Sequence, residues 1–180
     1  MIDILIIGSG GAGLSSALSA SQSGASVLVV GKSYPTTSQT AMAQGGINAS
    51  LSNMGKDSVE SHIADTIKSA HGLGDEESIR AICNDAPNTI EWLDSLGVPF
   101  SRLDNAQSSQ KSIAQRALGG ASAKRACYAQ DYTGLKILHT LYDNCLKEGI
   151  EFRDEYYLLN LIVEDQTIKG AIFWDIGLGK

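Results

Sequence analysis

Cysteine is scarce: Cys83, Cys127 and Cys145 are the only three in 180 residues, too few and too widely spaced for a metal or redox motif. The role expected of all three is that of small buried side chains, kept as thiols in a reducing compartment. Positive charge is also short, since 14 Lys and Arg against 20 Asp and Glu leave a net charge of −6. With no basic cluster there is no electrostatic footprint for nucleic acid. No apolar run approaches the roughly 20 residues that cross a bilayer as a helix. The opening apolar run lacks a basic leader and a cleavage site, so it reads as a strand, and a cytoplasmic protein is expected. Metal-ligand clusters are lacking too, because His62 and Asp65 stand one helical turn apart and two groups do not make a metal site. What remains, 43% hydrophobic residues with 19 glycines, is the composition of an α/β domain.

Against that background the first thirty residues are specific. Ile4-Leu5-Ile6-Ile7 suits a buried parallel strand, Gly11 to Ser23 a helix ended by Gly24, and Val27-Leu28-Val29-Val30 a second strand. The turn between strand and helix reads Gly8-Ser9-Gly10-Gly11-Ala12-Gly13, a G-x-G-x-x-G fingerprint in its dinucleotide-binding setting. Gly8 and Gly10 bring backbone amides close to a pyrophosphate, Gly13 lets the helix pack on the sheet, and the helix N-terminus favours negative charge. One feature of a nicotinamide site is missing. The second strand closes on Gly31-Lys32-Ser33 where an acidic residue would hold the ribose, so backbone, Lys32 or Ser33 must do so, which disfavours NAD and leaves FAD.

Ser33 to Asn53 is polar and lacks helical periodicity, and Gln44-Gly45-Gly46 within it suits close backbone approach to a flat ligand. Helices are expected from Asp57, capped by Asp57 with Glu60 completing a capping box, and from Asp75 through Trp92 towards Gly97, with Pro87 kinking or dividing the second. A polar loop over 105–112 follows, then a helix from Thr133 to Lys147 with Leu135, Leu138, Leu141, Tyr142 and Cys145 on its apolar side. Ile150 to Arg153 reads as a strand, and Tyr156 to Glu164 with Ile168 to Trp174 as an antiparallel hairpin about Asp165-Gln166-Thr167. The fold class expected is α/β, a Rossmann-like parallel sheet with helices and an added antiparallel β-hairpin. Because such a fold needs more parallel strands, residues 1–180 are expected to be the N-terminal part of an FAD-binding domain, without the capping or C-terminal domains of a longer protein.

The segment from Lys32 to Ala49, with Tyr34-Pro35-Thr36-Thr37-Ser38-Gln39-Thr40 and Ala43-Gln44-Gly45-Gly46 inside it, resembles the flavin-embracing loop of the succinate dehydrogenase and fumarate reductase flavoprotein family. Gly97-Val98-Pro99-Phe100-Ser101-Arg102, Gly119-Gly120, Arg125-Ala126-Cys127-Tyr128-Ala129-Gln130-Asp131 with Thr133-Gly134, and Leu138-His139-Thr140-Leu141-Tyr142 extend the likeness over nearly the whole chain. The resemblance implies FAD contacted by Gly8 to Gly13 and by Gly31 to Gly46, among them Lys32, Ser33, Thr37, Ser38, Gln39, Thr40, Ala43 and Gln44. It implies hydride transfer between flavin N5 and a C4 dicarboxylate, fumarate or succinate, with electrons exchanged through an iron–sulfur subunit and a membrane anchor subunit. A cytoplasmic protein, held at the inner face of a membrane by those partners, is the corresponding location.

Two departures from the family pattern matter. Gln39 stands where most respiratory members carry the histidine that tethers the flavin, and an amide nitrogen is too poor a nucleophile for that role, so non-covalent FAD is expected. Leu118 stands where relatives commonly have an aromatic residue against the substrate, and Gly45 approaches the same substrate by its backbone. By the same resemblance the proton-delivering arginine and the dicarboxylate-binding histidines lie beyond residue 180, so no catalytic residue is assigned within the chain. A structural ion pair or a solvated loop is the role expected of Arg116 and Arg125, and packing or capping that of His62, His71 and His139. Two alternatives stay open: a soluble L-aspartate oxidase-like flavin oxidase, and a non-catalytic FAD-binding fragment.

Overall fold

The computed structural model describes residues 2–104 and 112–180. In chain order its elements are β1 (Ile4–Ile7), α1 (Gly11–Gln22), β2 (Val27–Val30), β3 (Ile47–Asn48), α2 (Val59–Ser69), α3 (Glu76–Ser95), β4 (Gln115–Arg116), β5 (Ala126–Cys127), α4 (Thr133–Lys147), β6 (Glu151–Arg153), β7 (Tyr156–Glu164) and β8 (Thr167–Asp175). They divide into two compact units, one of residues up to 42 with 137–180 and the other of residues 43–136.

The first unit carries a parallel sheet of order β1-β2-β6, with Ile4 opposite Val27 and Leu28 opposite Glu151. β2 is central and its Val27, Val29 and Val30 are buried. β1 is parallel as expected but not buried, for Ile4, Leu5 and Ile7 are 38–43% exposed. Among the described residues β1 is paired on one side only, with β2, so this exposure is that of residues 1–180 taken by themselves. α1 covers the sheet with Leu14, Ala17 and Leu18, all fully buried. It can come this close because position 13 is glycine: a Cβ there would sit 1.9 Å from the Gly8 carbonyl oxygen. From Ile137 onward α4 adds Leu138, Leu141 and Cys145 to this core, and Tyr142 meets Phe152 edge to face at 5.0 Å. β7 and β8 pair antiparallel as the expected hairpin. Asp165 (φ 48°) and Gln166 (φ 59°) make its turn, both left-handed, which matches the twist of a two-residue hairpin.

The second unit has a small antiparallel sheet of order β3-β5-β4, in which Cys127 lies opposite both Ile47 and Gln115. α2 and α3 supply its apolar core through Ile63, Cys83, Ala86, Ile90 and Leu93, joined by Val98 and Phe100. Two expectations are corrected here. α2 is capped by Ser58, whose hydroxyl accepts the Ser61 amide at 3.1 Å, and not by Asp57, whose carboxylate is taken up by Arg125. α3 runs unbroken for 20 residues through Pro87, and Asp75 caps it as expected by accepting the Ser78 amide at 2.7 Å. Of the polar loop expected over 105–112, residues 105–111 lie outside the described residues.

Candidate functional site

The glycine turn of the first unit sits at the carboxyl ends of β1 and β2, where the Gly8 amide donates to the Val30 carbonyl at 2.8 Å. α1 begins with Gly10 as its cap, a residue that has no side chain of its own to satisfy the first amides. The Gly11 amide donates to Thr40 Oγ1 at 3.0 Å, while those of Ala12 and Gly13 meet no acceptor among the described residues. Two unpaired amides at the positive end of a helix dipole form an anion-binding cradle, and a pyrophosphate fits it. Ser9 is buried under the turn, and a Cβ on Gly31 would come within 2.7 Å of its hydroxyl. Ser38 Oγ, buried and without a partner among the described residues, lies 3.6 Å from where a Cβ on Gly10 would stand. Thr37 is used locally, donating to the Tyr34 carbonyl at 2.7 Å to close one 3₁₀ turn. Lys32 and Gln39 are exposed, and Gln39 opens a second 3₁₀ turn, Gln39–Met42.

A carboxylate that sequence reading missed belongs to the same end of the sheet. Asp154 follows β6, with Oδ1 buried and without a partner among the described residues, and burial followed by the neighbouring Glu155 charge pushes its pKa up. β6 runs alongside β2, and the Gly31 amide donates to the Arg153 carbonyl at 2.9 Å, so Asp154 stands next to the place where an acidic residue was looked for on β2 and not found. Its cue was topological, a carboxylate at the carboxyl end of the third parallel strand, which becomes legible only once the strand order is known.

In the second unit three successive carbonyls are gripped. Ala43 accepts the Gly134 amide at 2.7 Å, Gln44 accepts Arg116 Nη2 at 2.7 Å, and Gly45 accepts Arg116 Nε at 2.9 Å. Arg116 does have an ion pair, as expected of it, but its shorter hydrogen bonds go to backbone. Its guanidinium lies 4.5 Å from the Tyr128 ring centre, and its link to the exposed Asp131 is the longer one at 3.4 Å. Gly45 and Leu118, both expected at the substrate, are brought together, since a Cβ on Gly45 would meet Leu118 Cδ1 at 3.6 Å. The fold requires glycine at 46: φ is +124° and a Cβ would strike the Cys127 carbonyl oxygen at 2.6 Å. The amides of Gly45 and Gly46 meet no acceptor among the described residues.

Arg125 anchors this arrangement from beneath. It is 1% exposed, binds Asp57 through Nε at 3.0 Å and Nη2 at 2.7 Å, and binds Asp65 through Nη1 at 2.6 Å. This is the structural ion pair expected of it. Burial opposes ionisation of Asp57, and the hydrogen bonds and charge of Arg125 outweigh it, so its pKa lies below the carboxylate range. The Ser122 amide, at 2.7 Å, leads the groups that hold Asp65 down at about 2. His62 is buried with Nδ1 unpartnered among the described residues, and burial, then the Arg125 charge, lowers its pKa. His71 and His139 are exposed on or beside helices. Among the described residues no group of three or more His, Cys, Asp or Glu could hold a metal, and no helix is long and apolar enough to cross a membrane.

Comparison with known proteins agrees with this geometry. A family model described as an FAD binding domain matches residues 3–179. The succinate dehydrogenase flavoprotein subunit of Rickettsia felis is 40% identical over 98% of the chain and 30% of its own length. Among solved structures, Mycobacterium smegmatis Sdh1 superposes with a TM-score of 0.86 at 30% identity, covering 96% of this chain and 30% of its own. Escherichia coli quinol fumarate reductase superposes with a TM-score of 0.85 at 31% identity, covering 97% of this chain and 29% of its own. The chain thus spans about 30% of the length of the curated relatives it matches. The helix-end cradle, the parallel sheet and these matches place the chain in the FAD binding domain family, among the succinate dehydrogenase and fumarate reductase flavoprotein subunits.

Proposed function

We propose that the chain is the flavin-holding portion of a fumarate and succinate oxidoreductase, and that it binds FAD without a covalent bond. The observation that carries this reading is the pair of unpaired amides, Ala12 and Gly13, at the N-terminus of α1, in a chain whose family binds FAD. In the first unit those amides receive the pyrophosphate, with Gly11 beside them letting it approach, Lys32 and Ser33 receive the ribose, and Ser38 and Thr40 the approach to the flavin. In the second unit Gln44, Gly45 and Gly46 present backbone donors, and Leu118 walls the dicarboxylate beside Gly45. When bound, FAD would supply a two-electron carrier, whose reduced form gives a hydride from N5 to fumarate and whose oxidised form takes one from succinate.

Gln39, exposed and not nucleophilic, is the basis for non-covalent attachment. In the family the tether raises the flavin potential, so its absence favours fumarate reduction over succinate oxidation. By the family resemblance, proton delivery and the dicarboxylate clamps are assigned to residues outside 1–180, in keeping with Arg125 being sealed by two carboxylates and Arg116 being engaged with backbone. The partners that fit are an iron–sulfur subunit and a membrane anchor, with the flavoprotein on the cytoplasmic side.

The test uses the protein expressed from its native reading frame with its neighbouring subunits. Viologen-driven fumarate reduction faster than succinate oxidation, with flavin released into the supernatant on acid precipitation, is the expected result. Succinate oxidation in excess would reverse the direction, and flavin retained in the pellet would overturn non-covalent binding. Aspartate consumption with hydrogen peroxide release would replace the reading with that of an oxidase, and FAD binding with neither activity would reduce it to a binding module.

A further inference from the structure

Arg116 lies in the second unit, on β4, and its two hydrogen bonds to successive carbonyls have a geometric consequence. A trans peptide sets its N–H opposite its C=O in one plane. Holding the Gln44 oxygen at 2.7 Å therefore turns the Gly45 N–H away from the guanidinium, and holding the Gly45 oxygen at 2.9 Å does the same to the Gly46 N–H. Both amides are without an acceptor among the described residues, so the arginine holds two parallel donors aimed at whatever lies on the far side of the turn. Thr133 Oγ1 reaches the Gln44 oxygen as well, at 3.4 Å, and the Gly134 amide holds the Ala43 oxygen at 2.7 Å, so the turn is braced along its length. The guanidinium cannot swing off, because it lies against the Tyr128 ring, and β4 is paired to β5 with Arg116 opposite Ala126.

Charge makes the second part of the argument. A cation on a carbonyl oxygen polarises the peptide and strengthens the N–H donor at its other end, as hydrogen bonds in a chain reinforce one another. Such donors favour a partner that gains negative charge, and aligned ones act before the charge arrives. We propose that Arg116 is a positioning residue that raises the reduction potential of the bound FAD through the Gly45 and Gly46 amides, without touching the flavin itself. The proposal rests on the flavin reading above. Asp131 modulates the effect weakly, since its carboxylate is 83% exposed and 3.4 Å from Nη1.

The experiment measures the two-electron midpoint potential of the protein expressed from its native reading frame, as wild type, Arg116→Gln and Arg116→Lys, together with FAD content and melting temperature. Arg116→Gln is expected to weaken binding of reduced relative to oxidised FAD about tenfold, which lowers the potential by about 30 mV for a two-electron couple. Arg116→Lys keeps the charge but loses the planar fork, so its potential falls by less. A merely structural arginine would lower the melting temperature and leave the potential of the bound flavin unchanged, and that result overturns the proposal. Should Arg116→Gln not accumulate as folded protein, Arg116→Lys decides alone: a lowered potential supports the role and a wild-type potential overturns it. Wild-type protein that takes up no FAD overturns the flavin reading itself, whereas normal FAD content with unmoved potentials overturns only the role of Arg116.

Discussion

In the first unit Leu14, Ala17, Leu18 and Val29 are sealed without any charged partner, and order comes from an apolar helix laid on parallel strands across a glycine gap. In the second unit the strands are two residues each, too short to specify a sheet by themselves, and a buried arginine with two carboxylates stands where strand length is missing. Gln115 does similar work there, donating from Nε2 to the carbonyls of Ala49 at 2.7 Å and Arg125 at 3.1 Å. Hydrophobic burial is non-directional and sets a layer, whereas hydrogen-bonded charge fixes where individual peptides point. The two amide sites follow that division: α1 aims its amides by being a helix, and the Gly45 turn aims its own by being gripped.

The largest effect should come from Arg125→Leu, which strands two acidic side chains in the second unit and is expected to cost about 3–5 kcal/mol in urea denaturation. A loss under 1 kcal/mol would show that the apolar core of α2 and α3 suffices, and the contrast would collapse. Gly13→Ala tests the first unit by steric means. Its methyl meets the Gly8 carbonyl, so a loss of about 1–3 kcal/mol is expected, accompanied by failure to retain FAD.

Acid separates the units further. Asp65 has a folded pKa near 2, below its unfolded value, so its stabilisation is complete above the ordinary carboxylate range and disappears as pH falls from 4 to 2. His62, lowered in the fold, begins to cost stability already below its ordinary value. Hydrogen exchange at pH 3 should therefore show protection lost at residues 57–65 and 122–127 before residues 14–18 and 27–30. Simultaneous loss would mean that one cooperative transition governs both. Asp75→Ala removes a helix cap remote from the ion pairs and should cost about 1 kcal/mol, with Asp65-linked acid behaviour unchanged. The smallest difference is expected for thiols: burial pushes Cys127 and Cys145, one in each unit, up to about 12, so both should react slowly with a thiol reagent at pH 8 in the native state. Fast labelling of one alone would reveal local opening of its unit.

Legibility followed the same line. The strand-turn-helix-strand order of residues 4–30, α4 to the residue, and the β7–β8 hairpin were readable because periodicity and glycine punctuation are local. The exposure of β1 was not legible, since an apolar run carries no strand order and the pairing on one side is that among the described residues alone. The cap at Ser58 was missed because Asp57 satisfies the local rule equally well and is claimed instead by Arg125, 68 residues away. Gly45 with Leu118 was anticipated as a pair, while the reason for Gly46 was not, because the atom that demands glycine there is a carbonyl on β5.

By itself the sequence determined the class of fold, the glycine turn between β1 and α1, the absence of an acidic residue on β2 and the absence of a nucleophile at position 39, all properties of residue identity and short-range spacing. Tertiary structure alone decided that Arg116 grips two carbonyls, that Arg125 is sealed by Asp57 and Asp65, and that Asp154 stands at the end of the strand next to β2. Those facts depend on which distant segments meet, and side-chain charge has its meaning only once the partners and the surrounding dielectric are in place.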